Sequence, residues 1–373
     1  MRVDQGRLRL KSQRKQLDMP LVISTAALIL IGLIIIYDAS VVAAYRDFND
    51  KFHFFANQLI WAMVGTFSLI FFTFFDYKKI IKIAPYIFLA SFILLLLVLV
   101  PFIGTEVLGA RRWINIGTFT FQPSEFAKLA VVFYATYIIS KFENFKMRLK
   151  DTLIVYFLPI FFVMLSVVIQ PDLGTALIFF GVAAIIYFTA GAPIIHFLLT
   201  APFLVLAVIG AIITHPYRIE RIKAFLDPSY DPQGSSYHIN QIIIALKTGG
   251  LFGVGLGSSR SKFEFIPEVH SDAIFAVVVE EVGLVGALIL ISIFIFLITR
   301  AIKIARESYD YESKVLASGI VALIATQTLI NLSAIVALIP LTGVPLPFIS
   351  YGGSSLFVTL TAIGILLNVR RQS

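Results

Sequence analysis

The sequence predicts an all-α, polytopic integral membrane protein, and three observations carry that prediction. The 373 residues are 58% hydrophobic and include 35 Phe, with a mean hydropathy of +0.91, whereas soluble chains are roughly 45–50% apolar. The apolar residues gather in blocks long enough to cross a hydrocarbon core, which takes about 20 residues of helix. Within the blocks polar and apolar residues do not alternate, so the strands of an outer-membrane barrel are excluded.

Ten transmembrane helices follow, at 20–44, 54–75, 80–103, 123–140, 152–170, 173–190, 193–214, 272–299, 315–339 and 347–369. The first is preceded by basic residues but is too long and apolar for a cleaved signal, so it reads as a retained helix. The split at Gln170-Pro171-Asp172 also fits a kinked single helix or a re-entrant segment. The chain therefore reads as one membrane-embedded domain, 1–373. It has a tail at 1–19, a large loop at 215–271 between helices seven and eight, and a tail at 370–373.

Charge orients the chain. With the N-terminus in the cytoplasm, 19 Lys and Arg lie inside and 10 outside, and basic residues are retained in short cytoplasmic loops. Both termini are then cytoplasmic and the loop 215–271 is extracytoplasmic. The net charge of +8 reflects this topology and an anionic leaflet, and gives no reason to expect nucleic acid. The absence of cysteine excludes disulfides, thiol catalysis and thiolate metal sites.

The polar residues concentrate on the outer side. Segment 104–122 and loop 215–271 exceed the usual loop length, which marks a loop as functional or disordered, and the loop's aromatic and apolar runs argue against disorder. Within it, "SSYHINQIIIALKTGG" has helical spacing at Ile239, Ile243, Ile244 and Leu246 and ends on Gly249-Gly250, as an amphipathic surface helix does. The run "GGLFGVGLG" lacks a Walker lysine and a preceding strand, so close backbone packing or a turn near a ligand is favoured over a phosphate loop.

Charges at or inside the spans carry the most information, because each is costly in hydrocarbon. Glu125 and Lys128 share a helical face after Pro123, either neutralising each other or letting Lys128 meet an anionic headgroup. Asp172 stands where a helix N-cap would. Arg111 and Arg112, beside Trp113, suit either interface anchoring or, as an adjacent pair outside against the positive-inside trend, a grip on phosphate, and the second is favoured. In "FIPEVHSDAIFAVVVEEVGLVG" Asp272 precedes an apolar run; a cap is one reading, with Ser271 competing for it. Glu280 and Glu281, two turns on, suggest a structural network. Pro340, Pro345, Pro347 and Gly352-Gly353 interrupt the last spans, for tight packing or to line a shielded groove.

In order along the chain stand "RRWINIG…FQPSEFAKLA", "QPDLGTA", "AFLDPSYDPQGSSYHINQ", "GGLFGVGLGSSRSKFEFIPEVHSD" and "GVPLPFISYGGSS". Together they resemble the SEDS family of bacterial cell-wall proteins, which includes FtsW and RodA, and "HFFANQ" with "GLGSSRSKFEFIPEVHSD" looks more like the division branch than the elongation branch. The resemblance implies a ten-helix glycosyltransferase of the bacterial cytoplasmic membrane. It would polymerise lipid II into glycan strands on the extracytoplasmic face, beside a class B penicillin-binding protein and other divisome membrane proteins. It also implies Asp272 as catalytic base, with Arg111, Arg112, Glu125, Lys128, Lys262, Glu268, His270, Ser350 and Ser354 as the candidate substrate-binding set. One departure is Ala273, where the family's aspartate is usually followed by a bulky residue, often Phe.

The chemistry agrees with that role. An acceptor hydroxyl needs a base, a contribution of roughly 10²–10⁴-fold, and a pyrophosphate leaves without help from an acid. Its charge needs cations, for which Arg111, Arg112 and Lys128 are candidates, with no certain cofactor but with room for assistance from a divalent cation, Mg or Mn. Two other classes stay open: a flippase for the lipid-linked precursor, and a non-catalytic division scaffold. The elongation (RodA-like) role is the alternative within the family.

Overall fold

The computed structural model describes residues 16–107, 109–117, 119–142, 147–213, 215–260, 262 and 269–373. Helices α1 (Met19–Phe48), α2 (His53–Phe74), α3 (Tyr77–Lys82) and α4 (Ala84–Leu97) lead into strands β1 (Thr105–Val107), β2 (Ala110–Ile116) and β3 (Phe119–Phe121). Next come α5 (Pro123–Ser140), then α6 (Leu149–Asp151) running through a π-helical turn into α7 (Leu158–Ile169), α8 (Leu173–Thr189) and α9 (Ile194–Ile213). The long segment after α9 holds α10 (Pro216–Leu226) and α11 (Tyr237–Gly249), and α12 (Ile274–Arg306), α13 (Tyr311–Ile335) and α14 (Gly353–Gln372) complete the chain. Among the described residues, six helical stretches are long and apolar enough to cross a membrane: α1, α2, Leu149–Ile169, α12, α13 and α14. The protein is an all-α polytopic membrane protein, and each apolar block of the sequence falls on helix.

Burial sorts these helices into a centre and a rim. Most of the apolar stretch of α14 is buried, 83%, against 22% for α2, so α2 turns its bulk outward while α14 forms the core with α5 and α13. Hydrocarbon solvent gives apolar side chains little reason to leave it, so close approach and hydrogen bonds hold such helices together. The α2–α14 seam shows both. Ser68 and Thr361 bond through their hydroxyls at 2.6 Å, Asn368 Nδ2 donates to the Thr73 carbonyl at 2.9 Å, and Gly364 lies directly against the Leu69 backbone.

Segment 104–122, expected as an outside loop, is a three-stranded antiparallel sheet. Gly109 (φ 74°) and Gly117 (φ 64°) turn the chain as only glycine does cheaply, and the β-formers Trp113, Ile114 and Phe121 fill the strands. Helix α11 begins and ends where expected, but it buries Ile239, Ile242 and Ala245 while Ile244 is exposed. The apolar face is therefore rotated by about one residue from the sequence reading.

Two departures from continuous helix shape the polar region. The tenth block begins six residues late, at Gly353, because Pro345 and Pro347 withhold backbone donors and fix φ. The preceding segment is irregular but buried, with Val344, Leu346, Phe348 and Ile349 almost wholly enclosed. Irregular backbone survives at membrane depth only when protein covers it in this way.

The other departure is in α12, which breaks at Gly283 (φ 69°, ψ −173°). The two helical bonds lost there are replaced by four to the glycine-rich run. Val254 N donates to Glu280 O and Gly255 N to Glu281 O, both at 3.0 Å, while Leu284 N and Val285 N donate to the carbonyls of Gly250 and Leu251 at 3.0 and 3.1 Å. A Cβ at Gly253 would overlap the Glu281 carbonyl. The run is a backbone splint for a broken helix, as the packing reading of "GGLFGVGLG" expected.

Candidate active site

The irregular segment after α13 organises the polar residues, one backbone position at a time. Arg221 of α10 donates to Leu341 O at 3.1 Å. Gly174 of α8 fits against Thr342, where a Cβ would come within 2.8 Å of the carbonyl oxygen. Gly343 (φ 72°) faces Asp272, its Cβ position 3.8 Å from Oδ2. Asn331 of α13 donates to Val344 O at 2.7 Å, and Gln327, one turn earlier, donates to Pro345 O at 3.0 Å. Four elements, α8, α10, the turn before α12 and α13, thus meet along residues 341–345.

Asp272 does not cap its helix. α12 starts one residue later, with Ala273 at the N-cap and no side-chain cap bond, so neither Asp272 nor Ser271 plays the part that a local reading offers them. The Asp272 backbone carbonyl is held by Asn331 Nδ2 at 2.9 Å; its side chain makes no hydrogen bond among the described residues. Ala273 is completely buried, which pins the turn to the core directly beside the partly exposed carboxylate. His238 of α11 lies within electrostatic reach. Burial pushes its pKa below the ordinary value, the Asp272 charge partly offsets this, and Arg221 adds to the lowering. The imidazole is therefore neutral at neutral pH.

Arg112 and Asp172 form the neighbouring station. Arg112 Nε donates to Gln170 O at 2.8 Å, Nη2 donates to Pro171 O, and Nη1 stands 4.0 Å from Asp172 Oδ2. Asp172 is the N-cap of α8, accepting from Thr175 N at 2.9 Å and Thr175 Oγ1 at 2.8 Å, as its position in "QPDLGT" suggested. Arg111 is instead exposed and paired across the sheet with Glu106 at 3.0 Å.

The remaining candidates separate by what holds them. Lys128 is buried, bonded to Glu125 at 2.7 Å and to Gln327 Oε1 at 2.9 Å, so the neutralising reading describes its contacts. Lys262, expected at substrate, lies between Asp38 at 3.0 Å and Glu281 at 3.3 Å. Glu280 accepts from Ser259 Oγ at 2.5 Å and Arg260 N at 3.1 Å, so the two glutamates form the network their position suggested. His270 packs on Phe54, ring centres 4.4 Å apart, and burial pushes its pKa down to about 4. Ser350 Oγ accepts from Leu346 N at 2.8 Å, and Ser354 Oγ accepts from Gln122 N at 3.1 Å. Glu268 lies outside the described residues. His238, Gln327 and Asn331 were missed. The two amides sit four residues apart in an apolar block, a spacing that puts both on one face of α13. Among the described residues no three His, Cys, Asp or Glu gather as a metal-binding group.

The fold and these sites define a polytopic membrane protein with one partly exposed carboxylate at a span end, bordered by the 341–345 backbone. The family model described as cell cycle protein (FtsW, RodA, SpoVE) matches residues 19–373, and the chain belongs to this family, the SEDS proteins. Stage V sporulation protein E of Bacillus subtilis (strain 168) is 41% identical over 361 residues, 95% of this chain and 97% of the relative. The probable peptidoglycan glycosyltransferase FtsW of Trichlorobacter lovleyi is 38% identical, over 94% of this chain and 92% of its own. Among solved structures, one reported as the structural coordination of polymerization and crosslinking by a peptidoglycan synthase complex superposes with TM-score 0.78 at 28% identity, covering 95% of this chain and 98% of that one. The rod shape determining protein RodA of Thermus thermophilus gives 0.70 at 26%, covering 95% and 97%.

Proposed function

We propose that this protein is the peptidoglycan glycosyltransferase of septal cell-wall synthesis, polymerising lipid II at the outer face of the bacterial cytoplasmic membrane. The observation that carries the reading is Asp272: an uncapped, partly exposed carboxylate at the end of a span, bordered by the 341–345 backbone. Its relatives' names supply the reaction class. The acceptor sugar's 4-hydroxyl gives its proton to Asp272 as its oxygen bonds to the donor's anomeric carbon. The carbon–oxygen bond to undecaprenyl pyrophosphate breaks, and the pyrophosphate leaves with the electron pair. Arg112, with Arg111 nearby on the sheet, attracts the leaving charge. The structural neighbour reported as a complex coordinating polymerization and crosslinking supports pairing with a class B penicillin-binding protein that crosslinks the strands.

Purified protein incubated with labelled lipid II, with and without that partner, is expected to yield glycan polymer on a gel. Absence of polymer in both conditions rejects the reading. For the orientation, Tyr230→Cys and Tyr309→Cys, placed at exposed positions in a cysteine-free chain, are expected to react with an impermeant thiol reagent from outside and inside respectively. The reverse pattern would invert the topology and with it the active face. For Arg112, the glutamine variant is expected to weaken lipid II binding, and Arg112→Lys to recover only part of it, because a point charge does not reproduce a forked guanidinium. Equal binding by all three proteins would confine Arg112 to holding the Gln170-Pro171 turn.

A further inference from the structure

Three buried polar atoms around Asp272 have no hydrogen-bond partner among the described residues: His238 Nε2, Asn331 Oδ1 and Thr342 Oγ1. Buried polar groups are satisfied in the great majority of cases, and a cluster of exceptions calls for a ligand or an ordered solvent molecule. These three share one neighbourhood. Asn331 is tied to Asp272 and Val344 through its amide nitrogen, Thr342 directly precedes the glycine facing the Asp272 carboxylate, and His238 stands on α11, which packs against the helix that Asp272 precedes.

Their chemistry selects the ligand. Both donor bonds of the Asn331 amide go to backbone carbonyls, which fixes its oxygen as the group left over, and an amide oxygen only accepts. Asp272 as a carboxylate also only accepts. A pyrophosphate, itself an acceptor and negatively charged, would leave Asn331 Oδ1 unsatisfied and face a like charge. A neutral molecule bearing several hydroxyls supplies donors to Asn331 and Asp272, and both donors and acceptors to the Thr342 hydroxyl and the neutral imidazole.

We propose that His238, Asn331 and Thr342 form a subsite for the hydroxyl-bearing face of an uncharged N-acetylated sugar, the one whose hydroxyl Asp272 deprotonates, and that the donor's pyrophosphate is excluded from it. This assignment rests on the glycosyltransferase reading. Arg112 bonds to Gln170 and Pro171, directly before the helix whose Gly174 packs on Thr342, so the phosphate-attracting group stands at the end of a helix that borders the sugar subsite.

The probe is a soluble β-1,4-linked tetrasaccharide of N-acetylglucosamine, uncharged and free of lipid and pyrophosphate. Its binding to the purified full-length protein in nanodiscs is followed by saturation-transfer NMR. Saturable binding is expected, undisturbed by inorganic pyrophosphate. Thr342→Val and His238→Leu are each expected to weaken it roughly fivefold to tenfold, as loss of one hydrogen bond does. His238→Gln, which restores a donor and an acceptor, is expected to recover part. Thermal unfolding of each variant separates lost binding from lost fold. Unchanged binding in both folded variants, displacement by pyrophosphate, or no saturable binding to the wild type overturns the subsite. Lipid II polymerisation by the same wild-type preparation is the independent control. Polymer without variant-sensitive sugar binding removes the subsite alone, whereas variant-sensitive sugar binding without polymer removes the glycosyltransferase reading and leaves a sugar site.

Discussion

Asp272→Asn is expected to lower glycan synthesis by at least ~10²-fold, the scale of a lost general base, while folding and lipid II binding stay as in wild type. The geometry makes this substitution unusually clean. The carboxylate caps no helix, and the contact that holds the turn, from Asn331, goes to the Asp272 backbone carbonyl, which Asn keeps. The amide has nearly the same shape but takes no proton, so a fall in turnover without loss of stability isolates the chemical step. A gel-based polymerisation assay with a parallel lipid II binding measurement reads both. Robust polymer from the folded Asn variant would remove Asp272 from the mechanism, and a flippase would make polymer with neither protein.

Lys128→Met is expected to destabilise the protein by about 3–5 kcal/mol, because it leaves the buried Glu125 carboxylate without its cation. Both side chains are almost fully enclosed, 1% and 3% exposed, at 2.7 Å from each other. The double variant Glu125→Gln, Lys128→Met removes both charges and is expected to regain most of that stability. Thermal unfolding in detergent measures the cycle. Additive losses in the double variant would deny that the pair is a coupled buried ion pair. If the restored double variant also polymerises lipid II normally, the pair supports the core and does not contact substrate.

The features legible in the sequence were those encoded over short spans. Apolar length alone located the helices, Asp172 followed by Leu173-Gly174-Thr175 read as a cap because capping is a three-residue event, and Gly249-Gly250 ended α11 where a helix stop belongs. The site was legible only in part. A local reading made Asp272 a helix cap, but the helix begins at Ile274, and whether a turn precedes it depends on Asn331, 59 residues on. His238 carried no signal, since its proximity to Asp272 is made by the packing of α11 on α12. Lys262 looked available for substrate because the sequence cannot show Asp38, on α1, coming to meet it. The sheet was missed because two of its three strands have only three residues, too few for a usable alternation, and the Gly283 break because its replacement partners lie some 30 residues upstream.

That break has a consequence for how the protein is made. The carbonyls of Glu280 and Glu281 and the amides of Leu284 and Val285 find their partners in residues 250–255, which emerge from the ribosome first. During membrane insertion the first half of α12 therefore has a finished hydrogen-bond complement only after that earlier stretch has packed against it. Until then the chain either runs through Gly283 as one straight helix or holds four polar groups unsatisfied in lipid. The bent form of α12 is thus a product of docking on residues 250–255 and not of the span alone. A bulky side chain at Gly253 would overlap the Glu281 carbonyl and is expected to act at this docking step, before any substrate is bound.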